Sequence, residues 1–293
     1  MTDAEPDRGP DGGSGSDWPG PVLRATLDAL RARGAFDGVR LDRATVGTSA
    51  VLVELVADAG DDAECQHRAS AGLAHRPTGS SPTPPDALDG LVAPIEDRGD
   101  RDAPLGERAL AVAALNALSV PFLDWHTGDP MALLDASVSR IVTVGLFRPA
   151  FRKFDGVDVD VIEREPVAVE TVSTPPGVAV ESFTPQETAA AMEGADVAFV
   201  TGSTLVYGGI ERYLDAAPAS ATVVVVGATA SAVPEPPFDR GVDVVAGAAI
   251  ADPERVRSAV ADGYCGTDLH DRGVRKVYAA RGAPETMDLQ PGT

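Results

Sequence analysis

Lysine is almost missing from this chain. Only Lys153 and Lys276 among its 24 basic residues are lysines, and the rest are arginines. Against them stand 45 carboxylates, two thirds of them aspartates. An aspartate-rich, lysine-poor surface stays hydrated where dissolved salt screens ordinary charge effects. An ordinary acidic protein would have no reason to exclude lysine, so the composition reads as adaptation to a cytoplasm with molar salt. The net charge of −21 excludes nucleic-acid backbones and anionic membranes as partners. Cysteine is scarce as well: Cys65 and Cys265 cannot build a disulfide framework and fit a reducing compartment. The first residues carry Asp3, Glu5 and Asp7 and no apolar core, so a signal peptide is not expected. The most apolar stretch, Ala221 to Val233, is interrupted by Gly, Thr and Ser and is too short to span a bilayer. A soluble cytoplasmic protein is expected.

What is present points to two domains, for which 293 residues suffice. Residues 1–17 are Gly, Ser, Pro and Asp and read as a disordered acidic tail. Residues 18–130 read as a small α+β domain. A helical pattern runs from Val22 to Leu30, with β-like runs at Val39 to Val46, Ala50 to Val56 and Ala69 to Ala74. A Pro- and Ser-rich excursion from Pro77 to Pro104 surrounds a short helix at Leu88 to Val92. Gly106 to Ser119 is an alanine-rich helix on which Ala109, Val112, Ala113 and Asn116 share a face that another element can approach closely. Phe122 to Pro130 reads as the connection.

Across residues 131–280 strands and helices alternate. The expected strands are Ile141 to Leu146, Val157 to Ile162, Val197 to Thr201, Thr222 to Val226 and Val242 to Ala246. Thr184-Pro185-Gln186-Glu187 and Asp252-Pro253 are helix starts, and Gly263 can close the last helix. Val-rich strands between helices indicate a parallel sheet covered on both faces. The fold class is therefore α/β: a Rossmann-like parallel-sheet domain preceded by a smaller α+β domain, with residues 281–293 as a tail.

The most informative segment is Asp196 to Ser220. A short apolar strand ends in Thr201-Gly202-Ser203-Thr204, and a helical pattern with Ile210, Tyr213 and Leu214 follows. Such a turn, at the carboxyl end of a strand and the amino end of a helix, favours an anionic ligand. Open parallel sheets hold their ligands along that edge. Gly145 ends the first strand of the sheet in the same way. There the sequence Gly-Leu-Phe-Arg-Pro-Ala lacks the second and third glycines of a dinucleotide fingerprint, which disfavours NAD(P).

Several motifs together resemble a known family, the Rossmann-like proteins named for heavy-metal chelation. They are Gly106-Glu107-Arg108-Ala109-Leu110 with Leu115-Asn116-Ala117, then Val144-Gly145-Leu146-Phe147-Arg148-Pro149, Glu163-Arg164, and Thr201-Gly202-Ser203-Thr204-Leu205. Val226-Gly227 and Gly241-Val242-Asp243 with Gly247 complete the set, which spans residues 35 to 278 in order. The resemblance implies an enolase N-terminal-like first domain and a ligand site in the cleft between the domains. It also implies a heavy metal as a candidate ligand. One departure is Tyr207-Gly208-Gly209, where the family pattern would put Asn and, two residues later, Thr.

The candidate ligand-binding residues are Glu107, Asn116, Gly145, Phe147, Arg148, Pro149, Glu163, Thr201, Gly202, Ser203, Thr204 and Gly227. Gly145 to Pro149, Thr201 to Thr204 and Gly227 line one pocket in this reading, faced by the helix of Asn116. Arg148 can clamp a carboxylate or phosphate, or can simply pair with one of many surface acids. Glu163 lies where a ribose-binding acid belongs, or neutralises Arg164 or Arg148. Asn116 is a ligand contact or a satisfied buried amide, and Glu107 is a ligand contact or a complement to the helix dipole. Cys65-x-His67 and Cys265 with His270 match no recognised zinc spacing, although together they would form a soft-metal site. Ser203 and His126 are not singled out as nucleophile and base. The expected partner is a small molecule or a metal ion, with homo-oligomerisation open. The alternative function is a nucleotide- or phosphate-dependent transferase or oxidoreductase using the same turns.

Overall fold

The structure is a computed structural model that describes residues 18–57, 69–96, 103–165, 168 and 172–289. The expected tail at residues 1–17 and the Cys65–His67 pair lie outside the described residues. Helix α1 (Pro21–Ala32) starts on a proline, which suits the first turn because its missing N–H has no partner there. Val22, Leu23, Leu27 and Leu30, three to four apart, form its buried face.

Strands β1 (Val39–Val46), β2 (Ala50–Ala57) and β3 (Ala69–His75) form a three-stranded antiparallel sheet. Helix α3 (Leu105–Ser119) packs over one of its faces, and α2 (Leu88–Glu96) packs against α3. Helix α3 has no polar side: every residue from Arg108 to Ser119 is buried. Its approach to the sheet is very close, because an ideal Cβ on Gly72 of β3 would lie 2.3 Å from both the Ala113 carbonyl oxygen and the Ala117 amide nitrogen. Small residues on the helix and a glycine on the strand together make that distance possible. The opposite face of the sheet, with Leu52 and Leu73, meets Val256, Ala259 and Val260 of α8 (Pro253–Ala261). There Arg257 binds buried Glu54 bidentately, Nε and Nη2 each 2.7 Å from a carboxylate oxygen, as a charge taken from water requires.

The second sheet has eight strands in the order β4-β11-β10-β9-β8-β5-β6-β7. They are β4 (His126–Thr127), β5 (Arg140–Val144), β6 (Asp158–Ile162), β7 (Ala179–Phe183), β8 (Val197–Thr201), β9 (Thr222–Val226), β10 (Val244–Ile250) and β11 (Val274–Ala280). Strands β5 to β10 run parallel, and β11 and β4 are antiparallel additions. Helices α4 (Thr188–Met192), α5 (Thr204–Tyr207), α6 (Ile210–Ala216), α7 (Glu235–Asp239) and α8 complete the α/β architecture. The Thr184–Glu187 capping box forms, and Asp252 accepts from the Arg255 amide to start α8. One face of the sheet shares a continuous apolar core with α1 and α3, and the other buries Phe151, Phe154, Phe199 and Tyr278. The segment after α3 contributes β4 to this sheet, and beyond β11 Met287 and Leu289 pack back onto it. Among the described residues no helix is long and apolar enough to cross a membrane.

Candidate functional site

Because β5, β6, β8 and β9 are parallel, the turns that follow them share one edge of the sheet. The end of β3 arrives at the same edge. Between them lies a cavity of about 300 Å³ lined by His75, Gly145, Glu163, Arg164, Thr201, Ser203, Thr204, Tyr207 and Tyr213, among others. Gly145 has φ +100°, which favours glycine, and a Cβ there would crowd Thr201 Cγ2 at 3.2 Å. Glu163 Oε1 accepts the Leu146 N–H at 2.8 Å and Oε2 accepts the Arg164 N–H at 3.3 Å. Its carboxylate therefore already braces the turns after β5 and β6. Thr201 and Ser203 hydroxyls lie 3.1 Å apart, and Thr204 Oγ1 donates to the Thr201 carbonyl at 2.7 Å.

Across the cavity, His75 Nε2 is 3.1 Å from the Tyr207 hydroxyl. The Arg164 guanidinium lies over the Tyr207 ring, 3.6 Å from its centroid. Burial pushes the His75 pKa down, and the Arg164 charge pushes it the same way against a raising backbone hydrogen bond at Ser49; the imidazole is neutral at pH 7. Burial raises the Tyr213 pKa and keeps that phenol a donor. Buried Arg108 of α3 donates Nη1 to the Tyr207 carbonyl at 3.3 Å, so the first-sheet layer holds the residue that faces the ligand space.

The residues selected from sequence divide between two cavities. Gly145, Glu163, Thr201, Ser203 and Thr204 line the first, whereas Pro149 and Gly227 line a neighbouring one of about 810 Å³, and Phe147 belongs to both. Arg148 and Glu107 are exposed and line neither cavity. Gly202 lines neither and packs on Ala230, whose Cβ and N would each be 2.9 Å from an added Cβ. Asn116 is 1% exposed. Its Nδ2 faces the carbonyls of Leu73 at 2.7 Å, Thr229 at 3.0 Å and Ala228 at 3.3 Å, tying β3 to the turn after β9.

Two expectations change with the helices. The helix expected after Thr201 is broken: α5 has four residues, and Gly208 and Gly209, at φ +89° and +82°, separate it from α6. After β5 the chain forms only a 3-10 turn, Phe151–Lys153. Neither turn is backed by a long helix dipole, so side chains rather than a macrodipole must attract an anion here. Ser203 and His126 do not meet, since β4 lies four strands from β8. Cys265 is exposed, and among the described residues no three His, Cys, Asp or Glu side chains gather as metal ligands. His75, Arg164, Tyr207 and Tyr213, which line the cavity, were not selected from sequence. Tyr207 could have been, because it occupies the position that departs from the family pattern.

The same geometry predicts cofactor behaviour. With no glycine-lined helix start after β5, titration calorimetry with NAD or NADP is expected to show no binding tighter than about 1 mM. Micromolar binding of either would contradict this.

Residues 129–279, just over half of the chain, match the family DUF364, whose description reads "Putative heavy-metal chelation", and the chain belongs to that family. Two solved structures are similar to it. A DUF364 protein of unknown function from Pyrococcus horikoshii is 18% identical with a TM-score of 0.68, covering 89% of this chain and 100% of its own. A DUF364 protein of unknown function from Desulfitobacterium hafniense is 14% identical with a TM-score of 0.63, covering 88% of this chain and 98% of its own. At these identities the likeness is one of fold. No curated protein matches the chain.

Proposed function

We propose that this DUF364 member binds a small anionic organic molecule in the cavity between the end of β3 and the turns after β5, β6 and β8. The observation that carries the reading is Arg164, laid on the Tyr207 ring at 3.6 Å in that cavity. An arginine keeps its charge at any working pH and offers a planar fork to a carboxylate or phosphate. Tyr207 fixes the plane of that fork, and the Thr201 and Ser203 hydroxyls and neutral His75 add uncharged hydrogen-bonding groups. A bare metal ion fits these residues less well. Of the ligating types the cavity offers His75 and Glu163, Glu163 is occupied by two backbone N–H groups, and the Arg164 charge repels a cation. A heavy metal as cargo suits the cavity better as the complex of an anionic ligand. The lysine-poor, acidic composition supports a salt-rich cytoplasm as the place of action.

The test is to release and identify the co-purified ligand by mass spectrometry, with elemental analysis of the same preparation, and then to titrate it back. Arg164→Ala is expected to weaken binding about ten- to a hundredfold, the worth of a hydrogen bond to a charged group. Thr201→Val should weaken it by a smaller factor, and both variants should melt like the parent because neither removes core volume. A ligand whose affinity ignores Arg164→Ala, or a metal held stoichiometrically with no organic ligand, would overturn the reading.

A further inference from the structure

The larger cavity, about 810 Å³, lies beside the first along the same sheet edge and shares Phe147 with it. Its walls are mostly apolar or small, including Met131, Val226, Gly247, Leu269 and Val277. On one side, both lysines of the chain converge. Lys276 on β11 and Lys153 at the end of the Phe151–Lys153 turn put their ammoniums on the same atom, Asp129 Oδ2. The Lys276 contact is 2.6 Å. Asp129 is itself fixed, since Oδ1 accepts the Met131 N–H at 3.2 Å. Burial would raise its pKa, but the two ammoniums hold it below the ordinary carboxylate range.

Two features make this more than a surface ion pair. First, the chain uses arginine at every other basic position, so lysine at these two is a specific choice. An ammonium is a compact point charge with three rotatable donors, and two of them can share one oxygen while keeping donors for a further acceptor; arginine's rigid fork is poorly suited to that. Second, two ammoniums against one carboxylate leave an excess of positive charge, at 31% and 38% side-chain exposure, inside an otherwise strongly acidic molecule. Arg275 lines the same cavity. Low-dielectric walls focus such a field on an incoming anion.

We propose that this cavity is a second small-molecule site, for a ligand with an apolar body and one carboxylate or phosphate that Lys153 and Lys276 grip together. The apolar walls take the body, and Asp129 holds the two ammoniums at the spacing that receives the anion. This proposal goes beyond the Arg164 site and does not depend on it.

The near absence of lysine also supplies the probe. Incorporating ¹³Cε-lysine gives two side-chain resonances, one for each residue. Titration at the salt that keeps the protein folded would use 1-naphthyl phosphate, 1-naphthoate and, as the neutral counterpart, 1-naphthalenemethanol. Both resonances are expected to shift saturably with the anions and not with the alcohol, and the tighter anion identifies the ligand class. Read at the Lys276 resonance, Lys153→Gln should lower anion affinity at least about tenfold, and Lys276→Gln read at the Lys153 resonance should do the same. Unmoved lysine signals, or equal binding of anions and alcohol, would reduce the cluster to a structural ion pair and sink the proposal. The labelled parent protein decides this even where either variant melts early.

Discussion

Gly72→Val is expected to abolish cooperative folding. A Cβ at this position would stand 2.3 Å from the Ala113 oxygen and the Ala117 nitrogen, and 2.9 Å from the Asn116 carbonyl carbon. Ordinary overpacking costs about 1–3 kcal/mol because side chains give way. Here the obstructing atoms are helix backbone, and α3 is enclosed on all sides, so relief requires moving the whole helix off β2 and β3. The penalty should therefore exceed about 3 kcal/mol, a large part of the roughly 5–15 kcal/mol that holds a domain folded. The same contact positions the site. Asn116 bonds the Leu73 carbonyl there, and His75 lies three residues further along β3. Thermal melting followed by far-UV circular dichroism is the measurement, with Gly282→Ala as control because its added Cβ meets nothing within 4 Å. A Gly72→Val protein that melts alongside the control would mean that β3 does not seat on α3.

How far the sequence could be read depended on whether a feature was local. Strands β8 and β9 fall at the bounds their Val-rich runs indicate, and β1 spans Val39–Val46 as expected, although its alternation is broken by a register shift between Leu41 and Arg43. Strand β7 was not anticipated, since an edge strand with exposed Ala179 and Glu181 has no apolar run to reveal it. Strand β10 outlasts its expected end at Ala246 because Gly247 to Ala249 have little side chain of their own and are held by pairing with β11. The turn after β5 was visible from Gly145 at the end of an apolar run, and the turn after β8 from the small residues Gly202, Ser203 and Thr204. The contacts that shape the cavity were not. His75 meets Tyr207 across 132 positions of sequence, and only the packing of β3 against the sheet edge brings them together. Asn116 shows the ambiguity that remains: a buried amide among alanines looks the same whether it contacts a ligand or, as the geometry here has it, three backbone carbonyls. The rarity of lysine was plain, but the meeting of both lysines on Asp129 required the fold.

Transfer from molar KCl to dilute buffer is expected to unfold the chain. With 45 carboxylates and 24 basic side chains, at least 21 acids have no partner even if every cation pairs once. Lys153 and Lys276 share a single aspartate, which leaves one more unmatched. Exposed pairs such as Arg240–Asp215 contribute about 0–1 kcal/mol each and cannot offset the repulsion that folding concentrates on the surface. Screening can: the Debye length falls from about 10 Å at 0.1 M to about 3 Å at 1 M salt. Salt also strengthens apolar burial, and that effect depends on the anion, with sulfate stronger than chloride. The two causes separate by comparing KCl and potassium sulfate at equal ionic strength. Coincident folding curves by circular dichroism would assign the requirement to charge screening, as the excess of unpaired carboxylates predicts. A curve that favours sulfate strongly would assign it to burial. A chain that stays folded with an unchanged melting temperature near 10 mM salt, where the Debye length is about 30 Å, would show that its acidic surface needs no screening at all.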